Sequence, residues 1–273
     1  MKTCLIPLLA LTLLSAPLAA EKRPLEEPHA VGQLEGSESG DFGLGLAESL
    51  LIQGQYSEAE KIALRALELS PDNEQAYFIL AKAAISKNEL NRAQGYVDRL
   101  KAHNDKMSDY HALQGMVSMF KDQPEKAIVS LQRALELGED YGVPASYMGS
   151  YTNTLVLAYH RFEDKERALE TALSGIDKYP NEADLYVSAS RLYREEGEYE
   201  KALAIAERGV RQCPTFPSLY ASQALAHRGL GNVDKAESAY QALLRLDPQL
   251  ARAVRATMDG VVEDTVEYKV RVD

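Results

Sequence analysis

The residue types that carry catalysis are present but never arranged for it. His29, His103, His111, His160 and His227 are scattered, with no two at ligand spacing on one helix. There is no His-Glu-x-x-His pair to hold zinc, no Walker-type glycine loop to cradle phosphate and no Gly-x-Ser-x-Gly elbow to aim a nucleophile. Cys213 has Arg211 close by but no histidine near it in the sequence to generate a thiolate, and it reads as a half-buried helix-end thiol before Pro214. The acid pairs Glu139-Asp140 and Glu195-Glu196 read as exposed turn and helix residues. We therefore expect no enzyme and no cofactor. What the chain does offer is non-covalent contact, through an aromatic set of Tyr 15, Phe 5 and Trp 0.

Composition narrows the partner. Of 273 residues, 30 are Lys or Arg and 41 Asp or Glu, a net charge of -11, which argues against nucleic-acid binding driven by counterion release from a basic face. Hydrophobic residues at 45% and charged residues at 26% are ordinary for a folded chain.

The first twenty residues read as a cleaved secretory signal. One early lysine, Lys2, precedes the apolar run Leu5 to Leu14, and Ser15-Ala16-Pro17-Leu18-Ala19-Ala20 supplies the small residues of a cleavage site. Cleavage is expected after Ala20 or after Ala19, giving a periplasmic or secreted protein. The run is too short to anchor in a bilayer, and Cys4 precedes it instead of following it as a lipoprotein would require. No membrane anchor is expected after cleavage. Residues 21–39 are rich in Glu and lack an apolar period, so they read as a flexible leader.

Whatever positions functional residues in the rest of the chain must repeat. Aligning the alanine of each charged-x-Ala segment gives Ala59, Ala93, Ala127, Ala168, Ala202 and Ala236, at intervals of 34, 34, 41, 34 and 34 residues. Earlier in each unit the same phase places Ala47, Ala81, Gly115, Val156, Ser190 and Ala224, small in five of six cases. Pro71, Pro180, Pro214 and Pro248 close four units, and Gly54, Gly197 and Gly231 fall at a mid-unit turn. Each unit thus reads as helix, short turn, helix and proline-punctuated turn.

These residues resemble the tetratricopeptide repeat family, clearest in Tyr186, Ser190, Tyr193, Gly197, Tyr199, Ala202, Ala206, Gly209 and Pro214. The resemblance implies an all-α, right-handed superhelical solenoid of six helix pairs over residues 40–250, starting at Gly40, Glu74, Ser108, Gly149, Ala183 and Pro217. One pair cannot bury its apolar faces alone, so neighbours stack into a continuous core. Where the family carries Trp at its fourth position, this chain has Tyr77, Tyr186 and Tyr220, and Gly43 leaves that place empty in the first unit.

Two stretches break the pattern. Seven surplus residues fall within 138–148, either as an early start of the fourth unit's first helix near Pro144 or as a bulging loop. Tyr141, Tyr147 and Tyr151 crowd there, as a plug for a packing gap or as a contact platform. Residues 251–273 begin as a capping helix through Met258. Beyond Gly260, Val266, Tyr268, Val270 and Val272 alternate with charges at strand spacing. Such a strand pairs with its twin in a homodimer, with a partner's sheet edge, or with nothing.

The resemblance also implies which side chains face a concave partner-binding groove. Its N-terminal half holds Phe78, Lys82, Ile85, Met116, Met119 and Phe120, and its C-terminal half Asn153, Leu157, His160, Arg161, Val187, Arg191, Arg194 and Arg228. The first set also has the spacing of a buried stripe, and the arginines that of a solvated face with partners such as Glu195. As a groove, they suit a protein or peptide that is apolar at one end and bears an acidic segment or C-terminus at the other. By resemblance, the expected role is an extracytoplasmic scaffold or adaptor in assembly of an envelope machine such as a pilus, secretion system or polysaccharide exporter. The competing expectation is a subunit that self-associates through its repeats and C-terminal strand, with an enzyme as a remote option.

Overall fold

The computed structural model describes residues 40–103 and 107–260. The signal segment, the leader and the expected C-terminal strand lie outside them. Thirteen α-helices and no strand occur among the described residues. The N-terminal unit contains α1 (Gly40–Ile52), α2 (Tyr56–Leu69), α3 (Glu74–Ser86), α4 (Leu90–His103), α5 (Ser108–Phe120) and α6 (Pro124–Tyr141). The C-terminal unit, from Pro144, contains α7 (Ala145–Arg161), α8 (Lys165–Lys178), α9 (Ala183–Glu195), α10 (Tyr199–Gln212), α11 (Pro217–Gly229), α12 (Val233–Leu246) and α13 (Pro248–Met258).

Within each unit, consecutive helices pair, and each pair packs on the next. The periodic small residues explain how. Ala59, Ala93, Ala127, Ala168 and Ala202 are fully buried, and Ala236 keeps 1% exposure, because they lie where two helices cross. Where helices pack tightly even a methyl is too large: a Cβ on Gly115 would sit 2.6 Å from Leu131 Cγ, and one on Gly209 2.6 Å from Leu219 Cδ2. The large partners Leu44, Ile79, Leu113, Leu185 and Leu219 fill the space between crossings and are buried. Each such side chain contributes about 1.5–3 kcal/mol by leaving water.

Tyrosine in the place of tryptophan has a specific use. Tyr77, Tyr186 and Tyr220 each donate their hydroxyl to a proline carbonyl six residues earlier, on Pro71 (3.0 Å), Pro180 (2.9 Å) and Pro214 (2.8 Å). The ring fills the inter-helix space while the hydroxyl ties down the proline turn that leads into its own helix. Phenylalanine would fill the space and leave that carbonyl to water.

The turn inside each pair has one fixed demand. Its residue takes a left-handed backbone in all six pairs, at Gly54, Asn88, Asp122, Glu163, Gly197 and Gly231, with φ between 56° and 78°. Glycine meets this without strain, and Asn or Asp tolerate it, but a glutamate does not. The exposed Glu163 at φ 63° is therefore a strained residue.

The seven surplus residues extend helices and make no bulge. α7 starts at Ala145 with Pro144 as its N-cap, one residue from the expected start, and runs 17 residues. α6 also lengthens, to 18 residues, and closes on the left-handed Gly142. At the far end, α13 packs on α11 and α12 as a cap. Asp247 accepts the Gln249 and Leu250 amides, both at 2.9 Å. Arg255 lies 3.8 Å over the Tyr240 ring and pairs with Glu237 at 2.7 Å, and Arg228 Nε donates to the Met258 carbonyl at 2.8 Å.

Replacing Glu163 by glycine removes the strain at an exposed site that keeps its backbone hydrogen bond to His160. Glu163→Gly should raise the thermal midpoint, stabilising the chain by about 0.5–1 kcal/mol after the unfolded-state entropy of glycine is subtracted. Calorimetric melting of the two proteins measures it.

Candidate functional site

The residues expected to line a groove separate into two groups. In the N-terminal unit Phe78, Ile85, Met116 and Met119 are buried, and Phe120 is half-buried. Lys82 lies 5.3 Å over the Phe78 ring. Burial pushes its ammonium pKa down, against the opposing pull of Glu48 and Asp109. Phe120 and Lys82 are the half-buried members of this set. Tyr141 at the end of α6 is 67% exposed. In the C-terminal unit Tyr147 is half-buried and Tyr151 buried, their rings 6.4 Å apart.

In the C-terminal unit, the first helices of the fourth and fifth pairs, α7 and α9, lie side by side and make a polar seam. The sequence period is 34, but the residues that meet across the seam are 35 apart. Ser188 Oγ donates to Asn153 Oδ1 at 2.8 Å, and His160 Nε2 is 2.8 Å from Glu195 Oε2. Four residues before Asn153, Gly149 faces Glu182: a Cβ there would come within 3.1 Å of Glu182 Oε2. Four residues before Ser188, on the same face of α9, is Asp184. The seam therefore runs from the Glu182 and Asp184 carboxyls, past Asn153 and Ser188, to His160, Arg191 and Glu195. Arg191 Nε stands 3.9 Å from Glu195, and Lys165 pairs with Glu196 at 2.9 Å just beyond.

The charges on this seam are held unequally. Burial alone would raise the Glu195 carboxyl, but the hydrogen bond to His160 and the charges of His160, Arg191 and Lys165 hold it below the usual range. Arg194 is buried, at 8% exposure, whereas Arg161 and Arg191 are half-buried and Arg228 is exposed. At the other end the acids have no such help. Burial raises Glu182 to about 7, and burial together with the neighbouring Glu182 pushes Asp184 well up. The Cys213 thiol is raised by burial and by both carboxylates, and its Sγ lies 3.5 Å from the Asn181 carbonyl.

Glu182 and Asp184 escaped the sequence reading because an acid opening a helix is commonplace; it suits the helix dipole. The one available signal was positional, since Asp184 occupies the second place of its unit, in phase with Arg191 on the same helix face. Among the described residues no group of three or more His, Cys, Asp or Glu is placed to hold a metal ion, and no helix is long and apolar enough to cross a membrane.

The buried glutamate makes stability pH-dependent. Its folded value of about 7 lies above the 4.5 of an ordinary glutamate, so the native state holds the proton more tightly across that window. Stability is then fully present below the window and declines as pH rises through it, by up to about 3 kcal/mol from this group. Glu182→Gln should flatten the decline and raise the melting temperature at pH 8 while changing little at pH 4.5. Urea unfolding at both pH values measures it, and an unchanged slope with pH would refute the assignment.

Comparison with known proteins matches models of the tetratricopeptide repeat to residues 50–117, 153–217 and 217–250. No curated protein matches the sequence significantly. Among solved structures, PilF of Pseudomonas aeruginosa is 18% identical with a TM-score of 0.60, over 77% of this chain and 92% of its own. PilW, a type IV pilus biogenesis factor, is 14% identical at a TM-score of 0.63, over 77% of this chain and 94% of its own. A tetratricopeptide repeat protein of Parabacteroides merdae is 14% identical at a TM-score of 0.62, over 84% and 88% respectively.

Proposed function

The chain belongs to the tetratricopeptide repeat family, and from that premise we propose that it is an extracytoplasmic adaptor, binding a partner protein across α7 and α9 in the assembly of an envelope machine such as a type IV pilus. A fold of this kind is a protein-interaction scaffold. The observation that carries the choice of surface is the polar seam between α7 and α9. Many interior helix contacts among the described residues are built on buried Ala, Gly and Leu. This one sets carboxyl, carboxamide, imidazole and guanidinium groups along one line. Such groups specify a partner's charges and hydrogen-bonding groups, and Arg161, Arg191 and Arg228 favour an acidic segment or C-terminus at that end.

The extracytoplasmic setting is supported by the signal pattern of residues 1–20. The pilus reading is supported by the shared fold of PilF and PilW.

The test is affinity capture from an envelope extract with the chain from residue 21. Arg194 is buried, so the reversal is placed on the half-buried pair, as Arg161→Glu with Arg191→Glu. Loss of at least one specific partner, with the melting curve still cooperative, is expected. An identical partner set for both proteins would remove this face as the recognition surface.

A further inference from the structure

Charge is distributed unevenly in the C-terminal unit. Its first helices α7, α9 and α11 and the capping helix α13 lie in a row, each packed on the next. Together they hold six arginines, Arg161, Arg191, Arg194, Arg228, Arg252 and Arg255, against two acids, Asp184 and Glu195. This is a basic row in a chain of net charge -11. Part of the excess is answered within the fold, Arg191 by Glu195 and Arg255 by Glu237. Arg228 and Arg252 are exposed and make no ion pair among the described residues. An excess of like charge on neighbouring helices costs stability, and an acidic segment laid over it relieves that cost.

The chain supplies such a segment, and the fold delivers it beside the row. Residues 261–273 carry Glu263, Asp264 and Glu267, with no base before Lys269. The Met258 carbonyl at the end of α13 accepts from Arg228 Nε at 2.8 Å, so the chain leaves α13 next to that arginine. Gly260 then takes a left-handed backbone, φ 71°, which turns the chain off the α13 axis. Glu263 is five residues past Met258, within about 17 Å of it along an extended chain. Packed helices are about 8–10 Å apart, so the row from α13 to α7 is about 30 Å across. Residues 261–273, when extended, reach about 43 Å.

We infer that residues 261–273 dock in cis across α11 and α9, with Glu263, Asp264 and Glu267 set against Arg228 and Arg191. Charge, reach and the point of departure all select this segment as the occupant. Where that face is the partner-binding surface proposed above, the tail is its occupant in the free protein, and a partner binds by displacing it. The displacement rests on that reading of the surface; the docking itself does not.

The test is fluorescence polarisation with a labelled, amidated peptide of residues 261–273 as the probe. The chain from residue 21 is compared with a neutral-tail form carrying Glu263→Gln, Asp264→Asn and Glu267→Gln. The neutral-tail form should bind the peptide tenfold or more tighter, because in the unsubstituted chain the tethered tail competes at an effective concentration of about millimolar. Adding Arg228→Glu to the neutral-tail form should abolish that binding, and if this variant does not melt cooperatively, Arg191→Glu takes its place. Equal binding by the first two proteins, binding by neither, or binding that survives the arginine reversal overturns the docking. A dimer of the unsubstituted chain that the neutral tail dissociates, measured by sedimentation, places the tail on a second copy and also overturns it. If the docking fails while the Arg161 and Arg191 reversal still loses a partner, the adaptor reading stands and only the tail's role falls.

Discussion

The distance of closest approach between paired helices governs the rest of this structure. Six alanines in the same repeat phase, Ala59 to Ala236, are buried to 1% exposure or less where paired helices pack. With that separation set, leucine and tyrosine at neighbouring places fill what is left, and each pair presents an apolar surface that only another pair can cover. Most charged and polar residues are then displaced to the outer faces, and some meet across the seam between α7 and α9. Polar side chains in this chain thus collect where the packing permits polarity.

Much of the architecture was legible because it rests on positions that admit few residue types. Ala202 and Gly209 announce a helix crossing, Gly197 a left-handed turn, and Pro214 a break, whatever else the unit contains. The fourth unit was harder. Val156 stands where the others are small, and the surplus before it is shared by α6 and α7, so no single residue marks its place. The left-handed turns at Asn88, Asp122 and Glu163 were also hidden, because there no glycine advertises the conformation that the fold imposes.

The candidate site was legible only in part. The family resemblance assigns a side chain to a face, and it assigned Asn153, His160, Arg161 and Arg191 to one. It does not report how deeply a neighbour covers each. Phe78, Met116 and Met119, on the expected face, are buried, and Arg194 is buried too. The opposite error concealed Glu182 and Asp184: an acid at a helix start looks solvated in sequence, yet each keeps only 8% exposure, and Glu182 packs against Gly149. Depth is a property of two segments at once, which a linear reading does not contain.

The mismatch between a 34-residue period and partners 35 apart has a consequence for how this family can vary. Asn153 with Ser188, and His160 with Glu195, are each one place out of phase between adjacent units. A substitution at a seam position is therefore constrained by the following place of the next unit, not by its own equivalent there. In related chains, compensating changes across this seam should accumulate at a lag of one unit plus one residue, so a consensus averaged column by column would mix halves of different pairs.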